Sequence, residues 1–110
     1  EAFGKPGDVF IGLSTSGNSK NVQMAVQQAR IMDMRTIAFL GKNGGKTKGL
    51  ADLEMCITEF PRSDRIQEAH MTAMHIIIDL VETKLYEAGF LHEPLFGITQ
   101  KDEKQALPVL

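Results

Sequence analysis

A single cysteine, Cys56, occurs in the 110 residues, inside a short apolar run. No internal disulfide can form, so the disulfide-held scaffolds of small secreted proteins are excluded and a reducing compartment is expected. Basic charge is not in excess either. Twelve Lys and Arg against 14 Asp and Glu leave a net charge of −2, which lacks the electrostatic footprint of nucleic-acid binding. No apolar run reaches the ~18 residues of a membrane span, and no signal-peptide pattern opens the sequence. The expected setting is cytoplasmic, with no nucleic-acid or membrane partner. Disorder is excluded by the opposite finding: 43% of residues are hydrophobic and 24% charged, as in an ordinary globular protein. The length bounds the chain to one modest domain.

What is present is concentrated in Ser14-Thr15-Ser16-Gly17-Asn18-Ser19. An apolar run, Asp8 to Leu13, precedes it, and an amphipathic segment begins near Lys20. A strand that ends in a hydroxyl-rich, glycine-containing turn and then enters a helix suits a phosphate group. The helix start offers unpaired N–H groups and the positive end of the macrodipole. Four hydroxyls in six residues add neutral donors, and the small side chains let an anion approach the backbone. A serine-rich N-cap is the ordinary alternative. One cap needs one such residue, so the excess points to Ser14, Thr15, Ser16 and Ser19 as phosphate ligands.

The rest of the chain reads as alternating strands and helices. Gly4-Lys5-Pro6-Gly7 turns into the first strand, whose Val9, Phe10, Ile11 and Leu13 predict a parallel strand covered on both faces. Val22, Ala25, Val26, Ala29 and Met32 or Met34 recur at helical spacing and predict about four turns from Asn21 to Met34. A second strand is predicted at Thr36 to Leu40 and a third at Leu53 to Thr58, with a short helical turn from Thr47 to Asp52 between them. Ser63 or Asp64 caps a long helix that runs to about Ala88. This order predicts an α/β layered fold with a parallel sheet. Ligands in such sheets sit outside the carboxyl ends of the strands. The serine loop and the start of the long helix are therefore expected on one rim.

The loop from Gly41 to Thr47 ends Gly-Lys-Thr but is not a P-loop. Gly41 and Gly45 enclose three residues where four are needed, and the segment after it is too interrupted for the required helix. It reads instead as a tight turn with positive-φ glycines. No Gly-x-Gly-x-x-Gly follows the first strand, so a dinucleotide site has no support.

The long helix carries Gln67, His70 and His75. Ile66, Ala73, Ile77 and Leu80 make one apolar stripe, expected to be core; Gln67, Met71, His75 and Ile78 make its neighbour. Gln67 and His75 are separated by about 12 Å of rise and near 80° of rotation. They can face one cavity, though joint ligation of one metal would stretch both. A satisfied core histidine is the ordinary reading of His75 on spacing alone.

Taken together, Gly-Asp-Val-x-Ile-Gly-Leu-Ser-Thr-Ser-Gly-Asn-Ser, Gly-Lys-Asn-Gly-Gly-Lys, Ala-Asp-Leu-Glu and Asp-Arg-Ile-Gln-Glu-x-His resemble the phosphoheptose isomerases of the SIS (sugar isomerase) superfamily. The likeness runs from Gly7 to Glu82. It implies an SIS-type three-layer α/β/α sandwich of which this is the C-terminal part, with about three strands and two main helices. Residues 1–88 would form the SIS portion and 89–110 a partly mobile extension without a functional reading, its Phe90, Leu91, Leu95 and Phe96 able to pack on a neighbouring subunit. By position, the resemblance makes Ser14, Thr15, Ser16 and Ser19 the sugar-phosphate loop and places Asp64 at the substrate end. It makes Gln67 a substrate and metal contact and His75 the catalytic histidine and zinc ligand. His70 has no such role in the pattern and is expected at the surface or in packing. Zinc, a sedoheptulose 7-phosphate substrate and a homotetramer with sites at subunit interfaces are implied in the same way.

The sequence departs from that family in one respect. The family's first strand, its Gly-Asn-Gly-Gly-Ser loop and a following helix with His and the Glu base have no counterpart here. Glu1 also opens the sequence without methionine. The expectation is a fragment of a longer isomerase, which alone lacks the general base and half of the metal site. The competing readings are a non-catalytic SIS protein of the replication-initiator-associating kind and the isomerase half of an amidotransferase or sugar-phosphate sensor. The first has no need of an ionisable group at an inward position 75; the second has a different loop after the first strand.

Overall fold

The computed structural model describes residues 3–91. Strand β1 (Val9–Ser14), helix α1 (Lys20–Ile31), strand β2 (Arg35–Gly41), a single 3₁₀ turn (Gly45–Thr47), strand β3 (Leu53–Ile57) and helix α2 (Ser63–Glu87) follow in order. The strands form a parallel sheet in the order β1-β2-β3, with Gly12 opposite Ala38 and Leu40 opposite Cys56. Three parallel strands and two helices were expected, and they are there. The chain divides into two compact units between His70 and Met71, within α2.

In the first unit, period-two alternation decides which side chains meet which helix. Gly12 faces α1, where Val22 and Val26 approach it, and Val26 and Ala29 are buried there. Ala38 and Leu40 of the central strand share that face and are fully buried. Phe39 points to the opposite face and meets the ring of His70 at 5.8 Å. Ile66 is wholly buried against Gly41. The opening turns of α2 thus form a second layer on that face, over the carboxyl end of β2.

Several expectations need correction. Val9 and Leu13 remain 58% and 41% exposed, so β1 is not covered on both faces. The layer on their side is supplied by the first turns of α2, which cover Phe39 and the end of β2 and not the flanking strand. Helix α1 ends about a turn earlier than predicted, at Ile31. Its carbonyls at Gln28, Ala29 and Arg30 are taken by Met32, Met34 and Asp33, and Asp33 turns to φ 62°. The short helical turn lies at Gly45–Thr47, ahead of the predicted Thr47 to Asp52.

In the second unit, Ala73 and Ile77 are half-buried, but Leu80 is 57% exposed and is not core. Helical spacing identifies an apolar stripe; covering it requires a partner layer, and the described residues place none over Leu80. Leu95, Phe96 and nearly all of the expected extension 89–110 lie outside the described residues. No helix among the described residues is long and apolar enough to cross a membrane.

The amino end of β2 is tied by a reciprocal pair. The Thr36 N–H and hydroxyl both donate to the Asp52 carboxylate at 2.9 and 3.0 Å, and the Asp52 N–H donates back to the hydroxyl at 2.9 Å. These hydrogen bonds, chiefly the backbone one, with Arg30 nearby, hold the Asp52 carboxyl below its ordinary value of 3.8. A depressed carboxyl pKa adds stability above the unfolded value and loses it as pH falls through the folded one. Asp52→Asn is therefore expected to lower the unfolding midpoint at pH 7. The gap to wild type should narrow once the pH drops below 3.8. Thermal melts from pH 7 to 2 check this; a gap independent of pH contradicts it.

Candidate functional site: the serine loop at the start of helix α1

The loop between β1 and α1 leaves the carboxyl edge of the sheet, where the connection of parallel strands places ligand sites. Ser19 occupies the N-cap position of α1, yet its side chain makes no capping hydrogen bond. Its carbonyl accepts the Gln23 N–H. No partner is found among the described residues for the N–H groups of Lys20, Asn21 and Val22, which point out of the helix start. A serine-rich cap would have used that hydroxyl on them. The loop instead leaves a helix end with free donors.

Each hydroxyl has a distinct place. Ser14 is 5% exposed, and its Oγ accepts the Gly17 N–H at 3.0 Å while donating to Ser19 Oγ at 3.3 Å. It shapes the loop from inside. Ser16 Oγ accepts the Asn18 N–H at 3.1 Å, a local turn that keeps the hydroxyl at the surface. Thr15 donates to Ser63 Oγ at 3.2 Å. That bond, across 48 residues of sequence, brings the start of α2 beside the serine loop. Both elements therefore share the rim that the sequence predicted.

Asp64 and Gln67 follow on α2 with exposed side chains. The Asp64 carboxylate accepts a hydrogen bond from Arg62 at 2.9 Å, and Arg65 pairs with Glu68 at 3.0 Å. The Glu68 carboxylate raises the Arg65 guanidinium pKa further, so the charge at this corner is fixed. His70 is the buried histidine of the helix: its Nε2–H donates to the Leu40 carbonyl at 2.8 Å. Packing is its part, one of the two expected. His75 lies in the second unit and is exposed, so it is neither a satisfied core histidine nor inward-facing there.

Zinc finds little support in these residues. The implied donors Gln67 and His75 number two, and no group of three His, Cys, Asp or Glu side chains placed to hold a metal occurs among the described residues. Three protein donors are the usual minimum for a catalytic zinc. The described residues do not make such a site by themselves.

A polar cavity of about 330 Å³ opens on the other rim, lined by Gly7, Arg30, Asp33, Arg35 and Asp52. Arg30 is bound to the Leu50 carbonyl at 2.6 Å, and Asp52 to Thr36. Those groups fasten the amino ends of the strands. The serine loop is the stronger candidate.

The loop Gly41 to Thr47, read from sequence as a plain turn, is the element that the sequence undervalued. The Gly17 carbonyl accepts both the Thr47 N–H at 2.9 Å and the Thr47 hydroxyl at 2.7 Å. Asn18 Oδ1 accepts the Lys46 N–H at 3.0 Å. Gly17 has φ 72°, and a methyl group there would run into the Gly44 carbonyl. Thr47 is wholly buried. Contacts across 28 and 30 residues leave no trace in local periodicity. The sole sequence hint was the Gly44-Gly45 pair, which permits backbone to approach backbone.

Residues 1–41 match the SIS domain model. The chain is 53% identical over 85 residues to the phosphoheptose isomerase of Pelodictyon phaeoclathratiforme, covering 77% of this chain and 40% of that protein. It is 52% identical over 85 residues to the one from Vibrio vulnificus, covering 77% and 44%. Among solved structures, phosphoheptose isomerase from Neisseria gonorrhoeae superposes with a TM-score of 0.65 at 44% identity, over 68% of this chain and 42% of that one. The Francisella tularensis phosphoheptose isomerase gives 0.69 at 29% identity, over 74% and 46%. The chain thus spans less than half the length of each of these proteins. With half of its matched residues shared, and with the parallel sheet and loop described above, it is a homologue of the phosphoheptose isomerases with an SIS-type α/β fold.

Proposed function

We propose that this chain supplies the phosphate-binding part of an aldose–ketose isomerase. The reaction converts sedoheptulose 7-phosphate to D-glycero-D-manno-heptose 7-phosphate. The reading is supported by the phosphoheptose isomerase relatives. The observation that carries it is the hydroxyl-lined loop at the uncapped start of α1, with α2 beginning alongside. A cytoplasmic homotetramer with sites at subunit interfaces, serving heptose synthesis for lipopolysaccharide, belongs to the same proposal.

The chemistry asks for three things. A base removes a proton from the hydroxymethyl carbon beside the ketone, and the electron pair forms an enediol. The neighbouring carbon takes a proton as the aldehyde forms, and a hydroxyl proton passes between the two oxygens. The distant phosphate has to be gripped so that binding energy orients the reacting carbons. Ser16, Ser19 and the free N–H groups at the start of α1 suit the grip. Thr15 and Ser14 hold the loop in shape, and Asp64 and Gln67 offer polar side chains at the substrate end. His75 offers an imidazole, a side chain able both to take and to give a proton.

Replacing Ser16 and Ser19 together with alanine is expected to weaken sedoheptulose 7-phosphate binding by ~100-fold or more, since two hydrogen bonds to a charged group, each worth about 1.5–3 kcal/mol, are lost. Calorimetric titration checks this. Unchanged affinity would count against the loop as the phosphate site.

A further inference from the structure

The serine loop is pinned to the loop Gly41 to Thr47 by the Thr47 and Lys46 hydrogen bonds. We propose that Thr47 and Asn18 are positioning residues, which lock the serine loop in its anion-accepting form before any ligand arrives. The proposal rests on the reading that Ser14 to Ser19 takes the phosphate.

The argument concerns one carbonyl. In a glycine-containing loop, the peptide after Gly17 can in principle rotate and turn its oxygen outward. An outward carbonyl oxygen would repel a phosphate. Here that oxygen is held inward by two donors from one residue, the Thr47 N–H and hydroxyl. Burial of Thr47 keeps water from competing for them. Asn18 supplies a second clasp through its Oδ1 on the Lys46 N–H. Gly44 and Gly45 let the two backbones touch: a Cβ on Gly45 would lie 2.5 Å from the Ser16 carbonyl and 2.6 Å from Asn18 Oδ1. With Gly17 turned inward, Ser14 and Ser16 can hold the loop's own N–H groups. The hydroxyls of the rim and the first N–H groups of α1 are left facing out. Donors fixed in place beforehand bind an anion without the cost of ordering them.

The test uses the natural protein, titrated with sedoheptulose 7-phosphate, alongside Thr47→Val, Thr47→Ser, Asn18→Ala and the Ser16→Ala/Ser19→Ala pair. Thr47→Val keeps the shape and the N–H but loses the hydroxyl. It is expected to weaken binding about 10-fold, and Thr47→Ser, which restores the hydroxyl, to bind within about threefold of wild type. Thermal melts show which variants are folded. Should Thr47→Val not fold, Asn18→Ala decides, because that side chain is at the surface. A loss of about threefold or more sustains the brace, and wild-type affinity overturns it. Wild-type affinity in a folded Thr47→Val, with binding lost in the serine pair, also overturns the brace but leaves the phosphate loop standing. So does a Thr47→Ser variant as weak as the valine one. A serine pair that binds as well as wild type removes the phosphate loop and the brace with it.

Discussion

His75→Ala is expected to lower turnover of sedoheptulose 7-phosphate by ~10²–10⁴-fold in the natural protein, the range that a positioned acid–base group contributes. Affinity for the sugar phosphate should stay within a few-fold of wild type. The separation follows from the proposed roles: proton transfer is asked of His75, whereas the phosphate is assigned to the hydroxyls of the serine loop. The serine variants should give the converse pattern, weaker binding above all. Steady-state kinetics with a parallel binding titration distinguish the two. Near-normal turnover in His75→Ala removes the imidazole from the reaction. A loss of binding equal to the loss of turnover would make it a substrate-holding group instead.

Gly17→Ala carries the second large effect, this time on the fold and the site together. The backbone at Gly17 is left-handed, φ 72°, which costs an L-residue about 1–2 kcal/mol. The added methyl also meets the Gly44 carbonyl, a backbone group that cannot swing aside as a flexible side chain would. Relief requires the two loops to part. That would break the Thr47 bonds to the Gly17 carbonyl and the Lys46 bond to Asn18. A destabilisation of ~3 kcal/mol is expected, a fall in Tm of more than about 10 °C for a domain of this size. Binding should fall with it even where the variant remains folded. A melt within about 2 °C of wild type would contradict the interlock, since that corresponds to well under 1 kcal/mol.

The pattern of apolar residues was enough to order the elements. Val9 to Leu13, the helical spacing of Val22, Val26 and Ala29, and the run Thr36 to Leu40 each carry a local signal. Hydroxyl density alone picked out the serine loop. Coverage was not legible. Spacing marks Val9, Leu13 and Leu80 as apolar-face residues, but burial depends on what is stacked over the face, and all three are exposed. The same holds for the two histidines. His70 and His75 differ by five positions, enough to turn one onto the Leu40 carbonyl and leave the other at the surface. Thr47 was invisible because its function lies in a contact 30 residues away. Ser14 shows the reverse limit. Its residue type suits phosphate, while its burial and its bonds to Gly17 and Ser19 engage the hydroxyl in shaping the loop.

The central claim is that a sugar's phosphate is held where β1 passes into α1. The most direct measurement is a crystal structure of the natural protein with sedoheptulose 7-phosphate bound. The account predicts phosphate oxygens within hydrogen-bonding distance of Ser16, Ser19 and the first N–H groups of α1. A phosphate seated anywhere else, such as the Arg30–Asp52 cavity on the opposite rim, would contradict it.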